Sequence, residues 1–169
     1  MANELKDENF FTAYRSSLTR AKQTLDHILA YHPDTQVITD ERIIERDYGE
    51  LASVKKSQYK KDHPVLFPIY HRSYDIAPPG GESIQQVEKR VISFMHDLLI
   101  QMKKNEENVL IVGHANSMRP FRRFFENLSI EQMMHLENQR DKVFTYDITV
   151  SEVIKEFQLY IKFCGYSNS

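Results

Sequence analysis

Cysteine is almost absent: Cys164 is the single one in 169 residues. No disulfide can close within the chain and no multi-cysteine metal site is available; a lone thiol of this kind reads as a buried packing residue. Long apolar runs are missing as well. No stretch approaches the ~18 apolar residues that a membrane-spanning helix needs. The first ten residues, MANELKDENF, are acidic and polar and carry no apolar core of a secretory signal, so the cytoplasm is the expected compartment. Neither sign of charge is in large excess. The formal net charge is -2, and no overall field draws the chain to nucleic acid or to an anionic membrane. Two basic runs, Lys55, Lys56, Lys60 and Lys61, then Arg119, Arg122 and Arg123, read as solvated helix faces. Internal repeats, low-complexity tracts and recognisable metal-ligand motifs are also lacking. Any anion binding must therefore come from a local cluster.

What is present suits one soluble domain: 41% hydrophobic and 27% charged residues over a single-domain length. Short strand-like and longer helix-like pieces alternate, which predicts helices packed on a mostly parallel sheet, a three-layer α/β/α arrangement. FFTAY (10–14) reads as a buried strand. It runs into SSLTRAKQTLDHILAY, where Leu18, Ala21, Leu25, Ile28 and Leu29 recur at helical spacing behind a serine cap. QVITD (36–40) is a second strand candidate. Residues 50–75, with Pro64 and Pro68, read as short helices and loops, part of a small lobe at about 50–82 in a single domain of 1–169. IAPPGGES (76–83) breaks the pattern, because Pro-Pro-Gly-Gly continues neither a helix nor a central strand.

Ser83 and Gln86 then form a capping box for the longest helix, whose apolar stripe is Ile84, Val87, Val91, Phe94, Met95, Leu98 and Met102. NVLIVG (108–113) is a continuous apolar strand of the kind buried on both faces. A helix is expected to start near Ser117, a short one from Ser129 to about Leu136, and a closing pair of strands at 142–148 and 156–163.

The chemistry concentrates at VLIVGHANSMR. A buried strand delivers His114 to its carboxyl end, and Asn116 and Ser117 follow at a helix start. Ligands of open α/β sheets bind beyond the carboxyl ends of strands, and a helix N-terminus there suits phosphate. His114 could add a charge-assisted hydrogen bond to a phosphate oxygen. Arg20, in the first turn of the helix after FFTAY, would project at the same edge with a fork that fits phosphate. Glu45, in IIERDYGEL, could serve as a general acid. Taken alone, Glu45 and Arg46 read as a surface ion pair.

The blocks SSLTRAKQT, ERDYGEL, HRSYDIAPPGGES and VLIVGHANSMR occur in the order and at roughly the spacing of the histidine phosphatase superfamily. ERDYG and RSYD resemble its cofactor-dependent phosphoglycerate mutase branch. The resemblance runs from about Phe10 to Tyr146 and implies the phosphoglycerate mutase-like fold. It implies that Arg20 holds the transferring phosphoryl group and that Glu45 is proton donor and acceptor. It makes His114 the second pocket histidine, with Asn116 beside it. Tyr48, Lys56 and Arg72 fall where mutases hold the substrate carboxylate and second phosphate. His71 stands where the first of two adjacent arginines is usual, which weakens that clamp because imidazole lacks the guanidinium fork.

A second departure is larger. Family members begin with a strand ending in Arg-His-Gly, whose histidine takes up the phosphoryl group, followed by a helix; here nine residues precede Phe10. None of His27, His32, His63, His96 or His135 has an Arg-His-Gly setting. The expectation is a binder of phosphate monoesters, catalytically impaired for want of the nucleophile, with no metal and no cofactor. The alternative is an active phosphatase or mutase with its nucleophile supplied upstream or by another residue. Only an active mutase would call for 2,3-bisphosphoglycerate as a primer. A third reading, a non-catalytic interaction protein, rests on the sheet edge that a missing central strand would leave on FFTAY or NVLIVG. That edge would need covering by rearrangement or by another chain, and in the second case it would invite a homo-oligomer.

Overall fold

The structure, a computed structural model, describes residues 2–137, 142–151 and 156–166. Strands β1 (Thr12–Arg15), β2 (Gln36–Thr39), β3 (Val109–His114), β4 (Val143–Ser151) and β5 (Glu156–Tyr166) form one sheet in the order β2-β1-β3-β5-β4. All neighbours pair in parallel except β4, which is antiparallel to β5. The helices are α1 (Ala2–Leu5), α2 (Thr19–Leu29), α3 (Lys56–Asp62), α4 (Leu66–Arg72), α5 (Ile84–Asn105), α6 (Ala115–Phe125) and α7 (Ile130–His135).

The alternation of strand side chains builds a core on each face. Val109 and Ile111 of β3 pack with Ile161 and Phe163 of β5 against α5 and α6. Leu110 and Val112 pack with Cys164 against α2 and Leu5 of α1. Every residue of β3 is buried, as a strand covered on both faces must be. The α5 stripe is seated as its periodicity predicts: Ile84, Val87, Val91, Phe94, Met95, Leu98 and Met102 are each at most 2% exposed. Each contributes about 1.5–3 kcal/mol of gross transfer energy. The Ser83–Gln86 capping box closes the start of this helix. Burial pushes the Cys164 thiol up to about 12, the state of an inert packing group.

Three sequence expectations change. The serine cap of α2 is not made: its N-cap is Leu18 with no side-chain bond. Ser17 is drawn away to Glu41, whose carboxylate accepts from its N–H at 3.2 Å and its hydroxyl at 3.0 Å. Ser16 turns inward to His114. Helix α6 starts at Ala115 rather than near Ser117, because the Ser117 hydroxyl accepts from the His114 N–H at 3.0 Å and pulls the first turn tight.

The unpaired edge expected on FFTAY or NVLIVG is also absent. β1 lies between β2 and β3, and β5 fills the other flank of β3, from Val109 opposite Ile161 to His114 opposite Tyr166. Residues 156–166 supply a strand long enough to pair with β3 on one side and β4 on the other. The open edges are β2 and β4, so the structural premise for oligomerisation at β1 or β3 is gone.

One tight junction positions the loops around the site. Gly49 has φ of 54°, and a Cβ there would lie 2.2 Å from the Pro79 carbonyl oxygen and 2.4 Å from Gly81 N. Only glycine permits that approach. Glu50 N–H donates to Pro79 O at 3.0 Å and Glu82 N–H to Asp47 O at 2.9 Å. The Pro-Pro-Gly-Gly break is thus the brace on which the Glu45–Gly49 loop rests.

Candidate functional site

A cavity of about 870 Å³ opens where β1 and β3 give way to α2 and α6, and Arg20, Glu45, Tyr48, Lys56, His71 and Asn116 all line it. Six residues spread over nearly a hundred positions of sequence therefore converge on one hollow. Arg72 closes α4, and its side chain lies outside the described residues. His114 is nearby but is not a wall of the cavity; it is fully buried.

The environment of His114 settles its protonation. Arg20 Nε donates to His114 Nδ1 at 3.2 Å. A guanidinium has no acceptor, so Nδ1 carries the lone pair and Nε2 the hydrogen. Nε2 then donates to Ser16 Oγ at 2.7 Å. Burial first, then the charges of Arg20 and Arg90, pull the His114 pKa down to about 3. In this arrangement the His114 imidazole is neutral and both its nitrogens are engaged, so it presents no charged donor to the cavity. What it does is fix the plane of Arg20, whose Nε bond leaves the two terminal nitrogens for a ligand.

This burial has a pH signature. The folded pKa lies below the ordinary histidine value, so the unfolded chain takes the proton more readily. The contribution to stability is complete above about pH 6.5 and is lost as pH falls towards 3, at about 1.4 kcal/mol per pH unit. Urea unfolding of wild type and His114→Gln at pH 7 and pH 5 should show a shallower acid loss in the variant. Identical losses would show that the imidazole is not held neutral.

Glu45 lines the same cavity. Its Oε1 accepts from Arg46 N–H at 2.7 Å and from Asn116 N–H at 3.2 Å. Asn116 is in the first turn of α6, so the carboxylate occupies one of the N–H groups that a helix start leaves free.

Arg46, which taken alone reads as half of a surface ion pair, lies inside the fold instead. It is 3% exposed. Nε donates to Glu82 O at 2.7 Å, the guanidinium lies 4.9 Å from the centre of the Tyr48 ring, and Nη1 and Nη2 are buried without a hydrogen-bond partner among the described residues. Burial lowers its pKa, against the opposing pull of Tyr48, Glu82 and Glu45. An arginine remains a cation even so.

Two further residues escaped sequence reasoning. Arg90 stands next to buried Val91 on α5 and reads as a solvated helix position. In the fold it donates to both oxygens of Glu82 at 2.9 Å and to the carbonyls of Arg42, Ile44 and Glu45 at 2.7, 2.8 and 3.3 Å. Burial alone would raise the Glu82 carboxyl, but the bonds from Arg90 and the Asp47 N–H hold it below the usual range. The pair clips the loop that carries Glu45 onto the longest helix. Ser16, beneath His114, is the other. Neither leaves a periodic or motif signal, because the partners are backbone carbonyls and a residue about a hundred positions away.

With this geometry in place, comparison with known proteins is direct. The sequence profile of the histidine phosphatase superfamily (branch 1) matches residues 1–153. The chain belongs to the histidine phosphatase superfamily. Within it, the chain is 37% identical over 131 residues to a 2,3-bisphosphoglycerate-dependent phosphoglycerate mutase of Brucella melitensis, covering 76% of this chain and 64% of that protein. A mutase of the same description from Azorhizobium caulinodans is 34% identical over 151 residues, covering 85% and 73%. The chain thus spans about 64% of the length of the Brucella relatives it matches. Among solved structures, a mycobacterial glucosyl-3-phosphoglycerate phosphatase with inorganic phosphate superposes with a TM-score of 0.75 at 19% identity, over 88% of this chain and 74% of that one. The α-ribazole phosphatase of Shigella flexneri gives 0.71 at 18% identity, over 92% and 74%. These histidine phosphatases share its fold, an α/β unit on a mostly parallel sheet. No helix among the described residues is long and apolar enough to cross a membrane.

Proposed function

We propose that this histidine phosphatase relative binds phosphate monoesters in the cavity between α2, α6 and the Glu45–Tyr48 loop. One observation carries the reading. The Arg20 guanidinium, oriented by His114 Nδ1 at 3.2 Å, lines the same cavity as Arg46, Lys56 and the start of α6. Arginine forks, an ammonium and helix N–H groups are the donors that phosphate oxygens take. Glu45 stands where it can exchange a proton with the ester or hydroxyl oxygen, once a ligand draws the Asn116 N–H away from it.

The same geometry favours binding over turnover by the described residues alone. Covalent phosphoryl transfer needs an acceptor with a free lone pair in the cavity. The nitrogens of His114 are both engaged, and Ser16 Oγ accepts a hydrogen from His114 rather than giving one up to it. His27, His32, His63, His96 and His135 do not line the cavity. An acceptor supplied from outside the described residues would make the same pocket an active phosphatase or mutase. A mutase would then also require 2,3-bisphosphoglycerate as primer.

Titration calorimetry with inorganic phosphate and 3-phosphoglycerate tests the reading. Saturable binding at millimolar concentration or below is expected; no saturation by about 10 mM of either would overturn it. Parallel assays with p-nitrophenyl phosphate separate binder from enzyme. His71→Arg should tighten 3-phosphoglycerate by about tenfold over inorganic phosphate, because it restores a fork that grips a second anionic group. An unchanged ratio would show that position 71 does not face the substrate's far end.

A further inference from the structure

The main cavity has an annex. A side cavity of about 270 Å³ shares Tyr48, Lys56 and His71 with it and continues between α3 and α4 to Tyr59, Phe67 and Tyr70. Four of the nine residues that line it are tyrosine or phenylalanine, beside the His71 imidazole, and each of the four is only half-buried. The lobe that carries them is unusual in this fold: no residue from 51 to 71 is buried. Its inner face gathers rings without covering them. Phe67 and His71 lie 5.2 Å apart centre to centre, tilted by 39°, and Lys60 Nζ lies 5.9 Å from the centre of the Phe67 ring.

Size and chemistry then select an occupant. A dry cavity of about 150 Å³ already accepts a benzene ring, so 270 Å³ takes one or two fused rings. Aromatic walls favour a flat π-system in offset or edge-on contact. At the mouth stands His71, a flat ring without a guanidinium fork, and Lys56, whose methylene stem is apolar while its ammonium reaches water. A flat ring entering there would meet the His71 imidazole and the Tyr48 ring.

We propose that the preferred ligands are phosphate monoesters of aromatic groups, the phosphate held at Arg20 and the ring in the α3–α4 annex. The proposal rests on the phosphate reading above and adds the identity of the esterified group. A more open basic trough lined by Lys55, Lys60 and Pro64 shares Val54, Lys56, Phe67 and His71 with the annex, whereas Tyr48, Tyr59 and Tyr70 line the annex and not the trough.

The test is a calorimetric series on the full chain with inorganic phosphate, 3-phosphoglycerate, phenyl phosphate and 1-naphthyl phosphate. The aryl esters should bind about tenfold tighter than inorganic phosphate, with 1-naphthyl phosphate at least equal to phenyl phosphate. Phe67→Ala and, separately, Tyr70→Ala, each checked for native circular dichroism, should erase that preference while leaving inorganic phosphate affinity within twofold. Neither residue lines the main cavity. Phosphate binding with no aryl preference overturns this proposal and leaves the phosphate reading standing. An aryl preference that survives both substitutions overturns it too. Failure of all four ligands overturns both.

Discussion

Arg90→Ala is expected to lower the unfolding free energy by about 3–4 kcal/mol and to weaken phosphate binding by more than tenfold. Arg90 touches no ligand in this scheme; it lines the cavity wall and is a positioning residue. Its five hydrogen bonds tie three carbonyls of the 42–45 stretch and the Glu82 carboxylate to α5. Removing it leaves a carboxylate that is 26% exposed without its cation and three carbonyls without donors. Arg90→Lys should recover less than half of the loss, because an ammonium cannot span a carboxylate and three carbonyls at once. Urea midpoints read the stability and phosphate titration reads the loop. An unchanged midpoint in Arg90→Ala would show that the 42–45 loop is held by something else.

Arg20→Ala should cost about a hundredfold in phosphate affinity, the usual penalty for deleting one charged partner of a shielded ion contact. It should also act at a distance. Arg20 is second only to burial in depressing His114, and it supplies the donor to Nδ1. Without it the His114 pKa should climb towards the ordinary value, visible as a shift in the imidazole titration by NMR. Arg20→Lys, which keeps a charge but no fork, should restore part of the pKa effect and little of the affinity. Undiminished phosphate binding in Arg20→Ala would remove the proposed clamp.

Much of this architecture was readable before any coordinate. NVLIVG could be assigned as a doubly buried strand because the five consecutive apolar or small residues Val109 to Gly113 leave no solvent face. The α5 stripe could be assigned because seven apolar residues keep helical phase behind a side-chain cap. The convergence of Arg20, Glu45, Tyr48, Lys56, His71 and Asn116 followed from family resemblance rather than from spacing, and the cavity joins them. What stayed hidden shares one physical cause. Arg46, Arg90 and Ser16 act through polar contacts to distant parts of the chain, to Glu82, to carbonyls of the 42–45 loop and to His114. Isolated polar contacts have no period. The serine cap of α2 failed for the same reason, since Glu41 and His114 compete for the two hydroxyls better than the helix start does.

The strand that seals β3 comes from residues 156–166, long after β3 itself has been synthesised. A ribosome that has reached residue 150 has made β1, β2 and β3 but offers β3 only one lateral neighbour. During that interval the most apolar ribbon of the nascent chain exposes a full row of amide and carbonyl groups, the template on which aggregation starts. The pairing that ends this exposure is parallel and joins segments far apart in sequence, a slow class of closure. Yield in a cell should therefore depend on how well chaperones shelter the emerging chain, more than on the stability of the finished fold.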